Sequence, residues 1–356
     1  MSPNLFKYAT SELSQDAFIC WLIEWINHEK IDEYLFKTAR HLLDKFFEIS
    51  DKPKPSNYHS VIVKRQFKRI DIVILINNQY VIIIEDKTHT KNHSQQLQRY
   101  QESIKNLSGT NDLPNTPDII NIYFKTGNQC RYEEIFERDY YPFKRSDFLK
   151  ILTTHIDKVN NAIFTDYYNY LNEIENKINS YRDLTVCEWD WWSIQGFLTE
   201  LFDNYISKRK EFGSFDSWKY INNPRGGFWG LYWNWIPIID ESVYIYLQLD
   251  LHKEQNSPKT LNFKVGFEND SFNKEQKREI RDKIFDIAKG SFKYSEELNK
   301  PNLRLGQYMT FMIYSKNIFE DLDQTYDLKK VISLLIEAEQ VLQVIAEKYS
   351  HIRVLD

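Results

Sequence analysis

Residues 69–88 read R-I-D-I-V-I-L-I-N-N-Q-Y-V-I-I-I-E-D-K-T, and this stretch decides the fold of the first half of the chain. Two aliphatic runs, 70–76 and 80–84, flank Asn77, Asn78 and Gln79, which is the pattern of a β-hairpin. The second run is uninterrupted from Val81 to Ile84, as in a central strand covered on both faces. It leads into Glu85, Asp86 and Lys87. Side chains alternate along a strand, so Glu85 and Lys87 share one face and Asp86 takes the other. The loop length then decides where Asp71 falls. A two-residue loop pairs Asp71 with Ile84, on the wrong face. A three-residue loop over Asn77, Asn78 and Gln79 pairs it with Glu85.

With the three-residue loop, two carboxylates and an ammonium converge at the end of a buried hairpin. Asp71 and Glu85 would supply hard oxygen ligands for Mg²⁺ (or Mn²⁺), an ion that keeps several waters and accepts a phosphate oxygen. Lys87 would orient or activate the attacking water and oppose the charge developing at phosphorus. Taken singly, these residues have plainer readings: Asp71 as a strand-end acid beside Lys68 or Arg69, and Glu85–Lys87 as a surface ion pair. Their joint spacing favours phosphodiester chemistry.

Outward from the hairpin, helices are expected over 11–27 and 32–48, with a strand over 61–67 before it. A helix over 94–107, a strand over 119–124 and helices over 146–152 and 157–179 follow it. After the tryptophans Trp189, Trp191 and Trp192 the character changes. Strands are expected over 217–222, 228–236, 243–251 and 261–267, then a helix over 274–289, a strand over 306–314 and a helix over 327–348. The fold class is α/β: a mixed sheet flanked by helices over 1–180, followed by a separate α+β domain over 181–356. In that second domain Trp229, Leu231, Trp233 and Trp235 alternate as on a sheet face packed against helices, in preference to a base-stacking platform with Trp218, Tyr220 and Tyr232. Asn223 to Gly227 reads as a turn in which Arg225 could touch a phosphate, and Lys208, Arg209 and Lys210 as a solvated helix end.

The pieces R-I-D-I-V-I (69–74) and I-I-E-D-K-T (83–88) resemble the core signature of the PD-(D/E)XK nuclease superfamily. Q-L-Q-R-Y (96–100) resembles the QxxxY motif of its RecB-like branch, with Gln96 and Tyr100 on one helical face. S-E-L-S-Q-D-A-F (11–18) resembles the superfamily's first helix, where an acid often assists the metal. Glu12 is the candidate, with Asp16 behind it. The usual proline before the first aspartate is replaced here by Ile70. The resemblance covers roughly residues 5–180 and implies a mixed-sheet nuclease core. It also implies catalytic residues Asp71, Glu85 and Lys87, substrate-positioning residues Gln96 and Tyr100, and metal ligands Asp71, Glu85 and Glu12. The implied substrate is DNA, with RNA second, and the implied setting is anti-phage defence or DNA repair. His89 and His93, beside the lysine, read as solvated loop residues, and Lys91 as a weak phosphate contact.

Composition sets the outer bounds. The chain has 356 residues, 42% hydrophobic and 27% charged, and a formal net charge of −5, so nucleic-acid binding calls for a local basic groove rather than a global field. Its three cysteines, Cys20, Cys130 and Cys187, have neither disulfide-framework nor zinc spacing. No signal-like N-terminus and no membrane-length apolar run stand out, which gives a cytoplasmic expectation. The second domain is left for target recognition, homo-oligomerisation or a regulatory partner. A non-catalytic nucleic-acid-binding or interaction protein on a nuclease fold is the rival reading.

Overall fold

The computed structural model describes residues 3–88, 96–110, 113–224, 226–252, 259–268, 271–291, 295–302, 305–319 and 321–353. The chain divides into two compact units, Met1–Asn176 and Lys177–Asp356.

In the first unit, α1 (Glu12–Glu24) and α2 (Glu33–Ile49) precede the strands β1 (Val61–Phe67), β2 (Ile70–Ile76) and β3 (Tyr80–Lys87). Then come α3 (Gln96–Leu107), β4 (Asp118–Lys125), a single turn α4 (Glu133–Phe136), β5 (Tyr141–Lys144), α5 (Arg145–Thr153) and α6 (Ala162–Asn179). The sheet has the order β1-β2-β3-β4-β5. The first three strands are antiparallel neighbours, whereas β3, β4 and β5 run parallel. Every residue of β3 is buried, as its continuous apolar run requires.

The two faces have separate cores. Ile72, Ile74, Ile82 and Ile84 point towards Leu22, Leu42, Phe46, Phe148 and Tyr167 of the helices α1, α2, α5 and α6. On the other face Val73, Leu75, Val81 and Ile83 pack against Tyr100 and Ile104 of α3. The unit is therefore a sheet between two helical layers. Ser11 caps α1 by accepting from the Ser14 N–H, and Asp32 caps α2 through the N–H groups of Tyr34 and Leu35. Each cap satisfies orphan donors of a first turn.

The second unit contains α7 (Trp191–Asn204), the antiparallel strands β6 (Ser217–Asn223), β7 (Gly226–Ile239), β8 (Val243–His252) and β9 (Thr260–Phe267), and α8 (Lys274–Lys289). It closes with β10 (Leu298–Asn299), β11 (Tyr308–Tyr314) and α9 (Leu328–Arg353). Its sheet has the order β10-β11-β9-β8-β7-β6. This is an α+β arrangement separate from the mixed sheet. The helices cover one face: the Trp233 indole donates to Glu339 of α9 at 2.7 Å, and Trp191 of α7 packs on Trp229.

Trp218, Trp229 and Trp233 are buried on that face, as the alternation predicts. Trp235 is not on it. Asn234 adopts a left-handed backbone (φ 60°) and the register slips between Trp233 and Ile236, so this bulge sends Trp235 to the opposite face. Arg209 also departs from expectation. Instead of ending a solvated helix it is buried, 3.0 Å from Glu339 and 3.4 Å from Asp216. Arg225 lies outside the described residues.

Candidate active site

The β2–β3 hairpin positions the first acid. Asn77 and Asn78 both take φ 53°, a left-handed conformation that asparagine tolerates well, and the Gln79 N–H donates to the Ile76 carbonyl at 3.0 Å. The pairs run from Ile76↔Tyr80 to Ile72↔Ile84. The loop is thus Asn77 to Gln79, and one step beyond the last pair Asp71 stands across from Glu85. Asp71 Oδ2 accepts the Asp86 N–H at 3.0 Å. Lys87 Nζ lies 2.5 Å from Glu85 Oε1.

Asp86 points the other way, into the α1–α6 layer. The Gln15 amide donates to its Oδ1, and the Tyr167 hydroxyl donates to Gln15 Oε1 at 3.1 Å. Asp16 is buried nearby. Gln66 ties the two sides together, its amide reaching Asp16 Oδ2 at 3.2 Å and Asp71 Oδ1 at 3.3 Å.

These carboxylates are short of positive charge. Burial, followed by the charge of Asp71, pushes Glu85 up to about 8 against the opposing pull of Lys87. The same two causes take Asp16 to about 6, and burial raises Asp86 well above the usual carboxylate range. Burial disfavours the Lys87 ammonium, but Glu85, Glu12 and Asp71 outweigh it and hold the lysine above its ordinary value. Glu85 is 0% exposed, and the Lys87 ammonium, 2.5 Å from its Oε1, is its compensation. A buried carboxylate in that state, facing a second one, fits a divalent cation. Asp71 and Glu85 are the pair that would hold it, with water or substrate oxygens filling the remaining positions. Among the described residues no group of three or more His, Cys, Asp or Glu side chains forms a closed metal cage.

Glu12 belongs to the lysine end. Its Oε1 accepts the Thr88 N–H at 2.9 Å and its Oε2 is 4.0 Å from Lys87 Nζ. Lys125, beside Lys87 on β4, donates to the Thr88 carbonyl at 3.0 Å. Thr88 is therefore gripped through both of its backbone polar groups, which fixes the strand end carrying Lys87.

A groove of about 600 Å³ opens beside Asp71, lined among others by Lys68, Arg69, Arg99 and Tyr100. Gln66, Lys68 and Arg69 have φ of 52°, 53° and 73°, left-handed values that cost non-glycine residues about 1 kcal/mol or more each. The strained turn carries two cations to the mouth of the site. Tyr100 is buried against the α3 face of the sheet while also lining the groove. The charges of Glu85, Tyr100 and Asp71 all reach the Tyr140 hydroxyl and, after burial, help to raise it. The Gln96 side chain, His89, Lys91 and His93 lie outside the described residues.

Sequence reasoning thus anticipated Asp71, Glu85, Lys87, Glu12 and Tyr100 as neighbours. It missed Gln15, Gln66, Arg99 and Lys125. Only Arg99, one residue before Tyr100 on the same helix, left a local signal.

A mixed sheet between helices, with an acid and an E-x-K triplet on adjacent strand ends, defines a class of phosphodiester-cleaving folds. The family model of the PD-(D/E)XK nuclease superfamily matches residues 3–183, just over half of the chain, and the chain belongs to that superfamily. No curated protein and no solved structure matches it.

Proposed function

We propose that this chain is a metal-dependent nuclease that hydrolyses phosphodiester bonds, with DNA as its first substrate class and RNA as its second. The observation that carries the reading is Glu85, fully buried across from Asp71 with the Lys87 ammonium 2.5 Å from its Oε1. Asp71 and Glu85 would hold Mg²⁺ (or Mn²⁺), with Glu12 beside Lys87 as the third candidate ligand. The ion supplies Lewis-acid polarisation of the phosphate and a bound water of lowered pKa. Lys87, kept protonated by the acids around it, donates hydrogen bonds to the attacking water and faces the charge that gathers on the phosphoryl oxygens. Asp71 keeps its place through the Asp86 N–H and the Gln66 amide. Lys68, Arg69 and Arg99 track the flanking phosphates, and Gln96 and Tyr100 position the strand or the lysine.

The superfamily supports a setting in anti-phage defence or DNA repair. No helix among the described residues is long and apolar enough to cross a membrane, in keeping with a cytoplasmic enzyme.

The test is cleavage of linear and circular duplex DNA, single strands and RNA, with Mg²⁺, Mn²⁺ or EDTA, by the wild type and Lys87→Ala. Metal-dependent cleavage that disappears in the variant supports the reading. Nucleic-acid binding by a well-folded protein that cuts nothing in any metal would replace it with the non-catalytic binder.

A further inference from the structure

The C-terminal sheet has one face that none of its described helices covers, and that face carries chemistry the nuclease reading does not use. Its alternate positions present Tyr232, Tyr244, Tyr246 and Tyr308, joined by Trp235 through the Asn234 bulge and by Phe215 from the loop before β6. These six aromatics line a concavity of about 850 Å³. Trp235 lies flat on Tyr246, with ring centroids 3.8 Å apart and planes at 11°. Tyr308 remains 48% exposed and Phe215 68%. Tyr308 lies over Gly266, where a Cβ would meet its ring at 2.9 Å, so the glycine lets the ring lie close to the sheet. Tyr246 is closed off beneath Trp235, while Tyr232, Tyr244 and Trp235 stay partly exposed, and a contiguous open aromatic patch of this kind marks a binding surface.

The polar groups say what would cover it. Lys264 is partly buried in the concavity, and its ammonium donates to the Thr310 hydroxyl at 3.2 Å. No carboxylate among the described residues lies within ion-pair distance of it. Asp250 is taken up instead by the amides of Gln248 and Asn262, at 2.7 and 2.8 Å. Burial lowers the Lys264 pKa, and Asp250 only partly opposes this. The Trp235 indole N–H is buried without an acceptor. A desolvated ammonium and an orphan donor both call for an acceptor-rich, anionic group. Lys219, with its ammonium 5.5 Å from the Tyr232 ring centroid, adds a second cation at the edge. Two exposed acids, Glu241 and Glu268, lie at the Tyr244 side of the rim, suited to the amino edge of a base.

We propose that this open face binds a nucleotide unit, its base stacked among Tyr232, Trp235 and Tyr308 and its phosphate held by Lys264. Flat rings that accept any π-face, with a cation one phosphate away, are the parts that unpaired nucleotides require. The unit comes either as a free nucleotide or as one residue of a single strand.

The test uses the full chain in EDTA, so that cleavage plays no part. Ribo- and deoxyribonucleoside monophosphates form one arm and a short single-stranded oligonucleotide the other. Each is titrated, then crosslinked by ultraviolet light and located by peptide mass spectrometry. Crosslinks on the β7 or β8 peptides are expected, with Lys264→Gln and Trp235→Leu each weakening binding about tenfold or more. Tyr308→Ser, a change at an exposed ring, gives the same readout should either of those variants fail to fold. Monophosphate binding identifies a free nucleotide, and binding of the oligonucleotide alone identifies a strand segment. Absence of both, crosslinks confined to residues before 177, or binding that the variants leave unchanged would overturn the proposal, as would selective binding of a neutral oligosaccharide or peptide at this face.

Discussion

Replacing Glu85 by glutamine should stabilise the metal-free protein while abolishing its chemistry. Burial lifts the Glu85 carboxyl from 4.5 to about 8, so between these values the folded chain binds a proton that the unfolded chain has released. Stability contributed by this residue therefore falls as pH rises from about 4.5, and the loss is complete above about 8. At about 1.4 kcal/mol per decade of proton affinity, holding Glu85 in place costs roughly 3 kcal/mol near pH 7. Glutamine removes that cost. The pull of Lys87 is already contained in that value, and the lysine keeps Glu12 at 4.0 Å and the Asp86 carbonyl at 3.3 Å. The expectation is a gain of about 3 kcal/mol near pH 7, shrinking to under about 1 kcal/mol near pH 5. Urea unfolding in EDTA at the two pH values measures it. A loss of stability near pH 7, or a difference that ignores pH, would refute the reasoning. Mg²⁺ should raise the midpoint of the wild type and leave that of the variant unmoved.

Asp86→Asn provides the contrast. Asp86 faces Gln15 on the far side of the sheet, and an amide matches its protonated form. The thermal midpoint should hold or rise by a few degrees, with metal-dependent cleavage kept within about tenfold of the wild type. A loss as deep as that of Lys87→Ala would place Asp86 in the chemistry. Arg69→Ala combined with Arg99→Ala should weaken binding across all sequences and reduce the slope of log affinity against log salt by about 2. An unchanged slope would remove the groove from the path of the phosphates.

The catalytic hairpin was open to reading because its information is local. Asp71, Glu85 and Lys87 sit within one pair of strands, and parity alone demanded the three-residue loop that Asn77 and Asn78 form. Partners from elsewhere were hidden. Gln15 reaches Asp86, and Gln66 reaches Asp16, only because α1 packs on the sheet through Phe18 and Leu22. β5 escaped notice because it has four residues with Pro142 among them, a strand tolerated at a sheet edge. α7 was masked by Trp191, Trp192 and Gly196, whose conformational preferences are poor for a helix. Gly196 is there for contact: a Cβ would stand 1.9 Å from the Ile178 carbonyl oxygen. Arg209 looked solvated in its basic run because Glu339, which helps to bury it, is distant in sequence, and Asp216 reaches it only across the turn before β6.

The bulge at Asn234 shows how a sheet can acquire a second role at low cost. Trp233 and Trp235 are two positions apart and would ordinarily serve the same side, as Trp229 and Leu231 do. One inserted residue lets the first stay in the hydrophobic interior while the second is released to the outside. Were the bulge straightened with every residue kept, Trp235 would return to the helix side, where Trp233 and Glu339 already occupy the space; deleting Asn234 instead restores simple alternation and leaves Trp235 outside. The core and the open face are thus linked by a single backbone irregularity: two tryptophans two positions apart serve opposite sides because the chain bulges between them.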